Sequence, residues 1–240
     1  MLRILALDAS TEVCSVAVNN GEQVISRYCD TPKSHSKELL PLIDEVLRDA
    51  GIALNNLDAI AVARGPGSFT GIRIGLGIVQ GLSYGANLPI VGVNTLEVMV
   101  QGYRDQSRDD GSAIYVPALD ARMGEVYWAA YLSQQDSFSE KIISQVSSPE
   151  VLRKQLEQVG KARSVVAIGH GWTVEELNGL EVSVLQPEFK PHANAVLTLA
   201  NQIIKKAGSL DHFSIAAIEP IYLRNEVTWQ KRQRIRTSDV

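Results

Sequence analysis

Three short segments carry residues whose types and spacing could do chemistry. The first is Asp8-Ala9-Ser10-Thr11-Glu12. A carboxylate at the end of a strand can reach Mg²⁺ through water, and the hydroxyls and amides of the following turn can donate to phosphate. The plainer alternative is that Asp8 only accepts hydrogen bonds from its own hairpin turn. The second is Gly65-Pro66-Gly67-Ser68-Phe69-Thr70-Gly71. No Lys-Ser or Lys-Thr follows these glycines, so it is not a Walker loop, and its third glycine comes one place late for Gly-x-Gly-x-x-Gly. What remains is a tight turn after a strand, opening a helix with Ser68 as its N-cap. The third is Gly169-His170-Gly171, which reads either as a second phosphate turn or as a plain loop. His35, between two serines, reads as a helix-entry residue rather than a ligand. The histidines, His35, His170, His192 and His212, are too far apart in sequence for a local metal motif, and only two cysteines, Cys14 and Cys29, exclude both the multi-bridge disulfide framework of a secreted protein and a four-cysteine zinc site.

The glycines continue beyond the second segment at steps of four. Gly67, Gly71 and Gly75 form one stripe, and Gly77, Gly81 and Gly85 another. Each glycine within a helix costs ~1 kcal/mol relative to alanine. That cost needs an offset, which close backbone packing supplies. Arg73 is the helix's one charge, while Ile72, Ile74, Leu76, Ile78, Val79 and Leu82 point almost all round. Such a helix must be covered on nearly every side, either by its own sheet and neighbours or by another protein chain.

The elements that position these segments follow from periodicity. Strands are expected at 3–8, 13–18 and 23–28, with Asn19-Asn20-Gly21 as a hairpin turn. In 37–50, Leu39, Leu40, Leu42, Ile43, Val46, Leu47 and Ala50 fill a helical arc of about 160°, ended by Gly51. Pro41 implies an early bend or a frayed first turn. A strand at 57–63, a helix at 68–84, a strand at 88–93 and a helix at 95–103 complete the half. This βββαβαβα order fits a ribonuclease-H-like layered sheet better than a strictly alternating Rossmann fold.

The polar run 104–111 is the expected boundary, giving an N-terminal half of residues 1–106 and a C-terminal half of 107–240. The pattern then restarts, with strands at 114–119, 125–132 and 137–145, a helix at 149–159, a strand at 164–168, a short helix after His170 and a last helix at 192–206. Ala6-Leu7-Asp8-Ala9 recurs as Ala118-Leu119-Asp120-Ala121. Two such halves around a cleft describe an α/β fold of the actin-like ATPase class.

The 240 residues, 45% hydrophobic and 21% charged, are ordinary for a globular chain able to bury a core. The net charge of −4 argues against a broadly basic nucleic-acid binder. From Arg224 onward, however, Arg224, Lys231, Arg232, Arg234 and Arg236 face only Glu226 and Asp239, so this tail is +3 and the rest −7. It reads as a solvated terminus or as an arm for RNA or an acidic partner. Trp229 could stack on a base. The stretch 71–93 holds Arg73, Pro89 and six glycines, too interrupted for a membrane span, and the N-terminus lacks a signal peptide's apolar core. A cytoplasmic location is expected.

Several segments together resemble the bacterial TsaB (YeaZ) family. They are Met1–Asp8 with Ala9-Ser10-Thr11, Ser34-His35-Ser36 through Leu47, Ala63 through Gly75, and Pro220-Ile221-Tyr222-Leu223-Arg224. The resemblance implies the actin-like (ASKHA) fold shared with the catalytic paralogue TsaD. TsaD-type chains carry a His-x-x-x-His metal motif where this sequence has Thr95 and Met99, and the neighbouring Asn94 and Glu97 are too few for a site. The implied role is a non-catalytic subunit without a metal. It would support threonylcarbamoyl transfer to N6 of the adenosine following the anticodon in tRNA, acting with TsaD and the ATPase TsaE. Family resemblance places the TsaD contact, and a homodimer formed in isolation, on the first two helices. The corresponding residues here are Leu39, Leu42, Ile43, Val46, Phe69, Arg73, Ile74, Gly75, Ile78 and Leu82. Contact with tRNA would be indirect. No tightly bound cofactor is expected. ATP or ADP with Mg²⁺ at the partner interface is left open, facing Asp8, Ser10, Thr11, Gly169, His170 and Gly171. Two other readings compete. One is an ATP-dependent small-molecule kinase using Asp8 and Asp120. The other is a metallopeptidase, which would need three protein ligands that the sequence does not pair.

Overall fold

The computed structural model describes residues 2–31, 34–107, 112–134, 138–159, 163–214 and 218–224. The tail beyond Arg224, including Trp229, and residues 108–111 of the expected boundary lie outside the described residues.

Two five-stranded sheets share one topology. In the first, β1 (Ile4–Asp8), β2 (Cys14–Asn19), β3 (Val24–Cys29), β4 (Ala59–Ala63) and β5 (Ile90–Val93) stand in the order β3-β2-β1-β4-β5. The first three strands form an antiparallel meander, and β4 and β5 add in parallel beside β1. In the second sheet, β6 (Ile114–Arg122), β7 (Glu125–Ser133), β8 (Phe138–Ser147), β9 (Val165–Ile168) and β10 (Val184–Gln186) stand in the order β10-β9-β6-β7-β8. Read from the meander edge, this is the first sheet repeated, with β6 in the place of β1. The fold is a doubled ribonuclease-H-like unit, the actin-like architecture.

The first sheet is buried on both faces because every residue of β1, β2 and β4 is buried. Leu5, Leu7, Val16 and Val18 meet α1 (His35–Asp49) and α2 (Phe69–Ala86) on one face. On the other, Ile4 and the alanines at 6, 17, 59, 61 and 63 meet α5 (Ala193–Ala207). Small side chains there let the helix approach closely. Ser15 Oγ accepts the Ala193 N–H at 2.9 Å and so fixes the start of α5 on the opposite half's sheet. Helix α3 (Thr95–Gln106) does the converse, packing Leu96, Met99 and Val100 on the second sheet against Tyr115, Tyr131 and Ile168. The halves therefore exchange one helix each. On the far face of the second sheet, α4 (Pro149–Val159) packs through Leu152 and Leu156.

Helix α1 begins at His35 and runs through Pro41, with Lys37 and Glu38 N–H both donating to Ser34 O. Its first turn is closed, so the fraying expected from Pro41 does not occur. Pro41 lies on the exposed side, where no sheet residue crowds its ring. The helix ends in a Schellman pair, Gly51 N–H to Arg48 O and Ile52 N–H to Leu47 O, with Gly51 at φ +63°. The hairpin turn spans Asn20–Gln23, closed by the Asn20 N–H donating to Gln23 O at 3.2 Å, with Gly21 N–H on Asn19 Oδ1 at 2.8 Å. In the second half, the place of α2 is taken by two single turns of 3-10 helix, His170–Thr173 and Glu175–Leu177. Strand β10 was not expected: it has three residues, one half-buried and two exposed, and no hydrophobic pattern.

Candidate functional site

Asp8 ends β1 and is fully buried. Its carboxylate accepts the Ser10 N–H at 3.2 Å and the Ser10 hydroxyl at 3.0 and 3.2 Å. Burial pushes its pKa up to about 6, with the Ser10 hydrogen bonds only partly opposing. The turn-capping role is thus the one Asp8 fills. His35 locks the same turn from the start of α1, its Nε2 lying 3.0 Å from Thr11 O and 3.1 Å from Val13 O. It is a helix-entry residue.

The glycine segment explains how α2 meets this turn. A Cβ on Gly67 would lie 2.1 Å from Ser10 O, and one on Gly71 2.1 Å from Ala9 O. Gly75 rests against Ala9 Cβ. The first glycine stripe therefore exists for close approach to the β1–β2 turn, and Ser68 caps α2 by accepting the Gly71 N–H.

Between the halves lies a cleft of about 1020 Å³. Ser10, Thr11, Ser68 and the start of α2 line one wall, and Asp120, Arg122 and His170 the other. The structure brings Ser10, Thr11 and His170 together and leaves Asp8, Gly169 and Gly171 behind the walls. Thr11 Oγ1 has no hydrogen-bond partner among the described residues. Asp120, the repeat of Asp8, bonds Arg122 at 3.0 Å, and its N–H donates to His170 Nε2 at 3.3 Å. A Cβ on Gly171 would lie 2.6 Å from the Ala118 carbonyl carbon, so this glycine serves packing on β6. Asp8 lies fully buried under Ser10 and is not among the cleft-lining residues, Asp120 pairs with Arg122, and the turn after β9 opens only short 3-10 helices.

The C-terminal segment crosses this cleft. Ile221 N–H donates to Arg64 O at 2.8 Å, and Arg64 Nη1 returns a bond to Glu219 O at 3.2 Å. Tyr222 and Phe69 flank the Arg73 guanidinium, which lies 3.2 Å from the Phe69 ring centroid. Arg224 donates to Ala121 O at 3.2 Å and pairs with Glu125. Nothing local in the sequence signals these contacts. Only the resemblance marks Pro220–Arg224.

Thr95 and Met99 are both fully buried at the start of α3. Met99 packs its methyl toward Gly169, and Asn94 caps α3 while donating to Ser144 at 3.0 Å. The Glu97 carboxyl is held above its usual range by burial and by Glu140. This donor set holds no imidazole, and no group of three or more His, Cys, Asp or Glu side chains comes together among the described residues.

The outer side of α2 is different in kind. Nothing lies within 4 Å of where a Cβ would stand on Gly77, Gly81 or Gly85. Phe69 is 61% and Tyr84 83% exposed on the same helix, and Leu40 of α1 is 50% exposed. Of the residues expected at a partner surface, Phe69 and Arg73 are exposed and Leu42, Ile74, Ile78 and Leu82 half-buried. Leu39, Ile43 and Val46 are core residues facing the sheet, and Gly75 faces Ala9, so these four cannot be part of an outer surface. Leu40, Tyr84 and the second glycine stripe, whose spacing already set it apart in the sequence, are exposed as well.

Comparison with known proteins decides the family. The family model for TsaD, tRNA N6-adenosine threonylcarbamoyltransferase, matches residues 29–231. The tRNA threonylcarbamoyladenosine biosynthesis protein TsaB of Escherichia coli is 37% identical over 234 residues, covering 96% of this chain and 98% of that protein. The chain belongs to the TsaB family. Its Haemophilus influenzae relative, also named TsaB, is 40% identical over 248 residues, covering 96% and 97%. YeaZ from Pseudomonas aeruginosa superposes with a TM-score of 0.78 at 33% identity, covering 93% of this chain and all of that one. The TsaB family therefore holds the fold whose cleft and helices are described above. No helix among the described residues is long and apolar enough to cross a membrane.

Proposed function

We propose that this chain is a supporting subunit in tRNA threonylcarbamoyladenosine biosynthesis. It would pair with a TsaD-type paralogue that carries out threonylcarbamoyl transfer to N6 of the adenosine following the anticodon. It would have no catalytic centre of its own, and a TsaE-type ATPase would complete the assembly in the cytoplasm. Membership in the TsaB family supports the process. The outer stripe of α2 carries the subunit role. Three glycines four residues apart, each open on its outer side, cost the isolated helix ~3 kcal/mol relative to alanine. Exposed Phe69 and Tyr84 lie on the same face of α2. A glycine groove with an apolar rim suits a second helix laid closely along it. In isolation a second copy of this chain would cover the same groove.

Within this reading the cleft is a structural remnant. Asp8 braces the turn that carries α2, and the segment 218–224 ties the two halves. A magnesium nucleotide, if the assembly holds one, would depend on residues of the partner.

The test is titration calorimetry of this chain against its TsaD-type paralogue, with Gly81→Leu as the variant. A Cβ there meets nothing within 4 Å among the described residues, so the circular dichroism spectrum should be retained and the melting temperature should not fall. Binding should weaken by at least about tenfold, or 1.4 kcal/mol. Unchanged binding by a folded Gly81→Leu chain would remove α2 from the interface and with it the basis for the subunit role.

A further inference from the structure

Both cysteines of the chain lie on one sheet face. In the β2–β3 ladder, Cys14 and Cys29 stand directly opposite each other. Opposed residues on antiparallel strands have Cα atoms ~4.5–5.5 Å apart and side chains on the same face. That separation falls within the range a disulfide spans, about 4.4–6.8 Å. Both side chains belong to the apolar layer under α1, Cys14 buried within it and Cys29 at its edge. Neither takes part in the cleft or in the outer stripe of α2.

Their surroundings differ in a way that orders the chemistry. Cys29 is partly exposed, and the Thr31 N–H, with Ser34 and despite some burial, holds its thiol below the usual value. Its Sγ lies 3.7 Å from the hydroxyl of Ser34, the residue before α1. Burial, with Cys29 adding to it, pushes the Cys14 thiol up to about 12. A partly exposed thiol that ionises more readily than usual thus faces a buried one that ionises less readily.

We infer that Cys14 and Cys29 form a peroxide-oxidisable dithiol that closes to a reversible intrachain disulfide. The Cys29 thiolate attacks one oxygen of hydrogen peroxide. An S–O bond forms, the O–O bond breaks, and hydroxide leaves, taking up a proton as water. Cys29 is now a sulfenic acid. The Cys14 sulfur attacks the Cys29 sulfur, the S–S bond forms and the S–O bond breaks. The departing hydroxide takes the Cys14 proton as a second water. Two thiols are oxidised and one peroxide is reduced to two waters. A dithiol reductant reverses the change by thiol–disulfide exchange. The oxidised form joins β3, at the point where the chain turns toward α1, to the strand that follows the β1–β2 turn.

The native full-length chain tests this directly. It is treated with hydrogen peroxide, blocked with N-ethylmaleimide and digested with trypsin. Cleavage after Arg27 separates the two cysteines, so a disulfide appears as peptide 4–27 joined to peptide 28–33. The expected result is this joined pair from monomeric chain, lost on adding dithiothreitol. It should form at least about tenfold faster than in guanidinium, because the folded ladder holds the sulfurs together. Cys14→Ser should stop at a sulfenic acid on Cys29 that dimedone traps, whereas Cys29→Ser should leave Cys14 unreacted under the same conditions. Recovery of both peptides as separate maleimide adducts would overturn the inference. Links only between chains, or equal rates in the native and unfolded states, would overturn it as well.

Discussion

Replacing Gly71 and Gly81 of α2 in turn by alanine should move stability in opposite directions. Both lie in the same helix, and both substitutions gain ~1 kcal/mol of helix propensity. At Gly81 the new methyl meets nothing within 4 Å, so the gain stands alone. For a chain of this size the melting temperature should rise by about 2–4 °C. At Gly71 the methyl would lie 2.1 Å from Ala9 O, a backbone atom that side-chain rotation cannot move. Against an immovable backbone atom the overpacking cost falls in the upper part of the usual range, about 2–3 kcal/mol, so after the ~1 kcal/mol propensity gain the net change is a loss of roughly 1–2 kcal/mol and 2–8 °C. Scanning calorimetry over a dilution series separates these effects from self-association, which would raise the melting temperature with concentration. The Gly81→Ala chain should at the same time bind the TsaD-type paralogue more weakly, by roughly tenfold, since a methyl enters the groove. A fall in melting temperature for dilute Gly81→Ala, matching that of Gly71→Ala, would show that the outer stripe is covered within the chain. That result would refute the reasoning.

Three further outcomes follow. The folded pKa of Asp8, about 6, lies above its ordinary 3.8, so its stabilising contribution is full below pH 4 and is lost as the pH rises through 6. Urea unfolding of wild type and Asp8→Asn should therefore diverge by about 3 kcal/mol between pH 4 and pH 8 in favour of the variant, and a pH-independent difference would contradict this. Arg224→Ala removes the bonds to Ala121 O and the Glu125 pair; because the pair is partly solvent-screened, the loss should be about 1 kcal/mol, seen as a fall of 2–4 °C in melting temperature. Calorimetric titration of the isolated chain with Mg-ATP should show no micromolar binding, and such binding lost in Asp8→Asn would return the kinase reading.

Much of the fold was legible because burial is written in residue type. Strand β4 and, up to its last residue Asp8, strand β1 are apolar runs, and both are buried at every position. The repeat of Ala-Leu-Asp-Ala marked the two strands that occupy the same place in the two sheets. Strand β10 was invisible because backbone pairing to Val166–Ile168, not side-chain packing, makes it a strand. The α1 wheel showed an apolar arc but not which part of it the sheet covers, and the resemblance that put Leu39, Ile43 and Val46 at a partner surface supplied only the helix, whereas the sheet buries all three. Asp8 shows the same limit: its type and place in the strand were readable, and its closure by Ser10 was not. The contacts of Arg224 with residues 121 and 125 span about a hundred positions, and no local pattern encodes them.

The most direct test of the central claim measures threonylcarbamoyladenosine by mass spectrometry of tRNA nucleosides. Cells depleted of this chain would be complemented with wild type, Asp8→Asn or Gly81→Leu. The modified nucleoside should fall on depletion, return with wild type and with Asp8→Asn, and fail to return with a Gly81→Leu chain present at normal abundance. An unchanged level on depletion, or restoration by Gly81→Leu with none by Asp8→Asn, would contradict that claim.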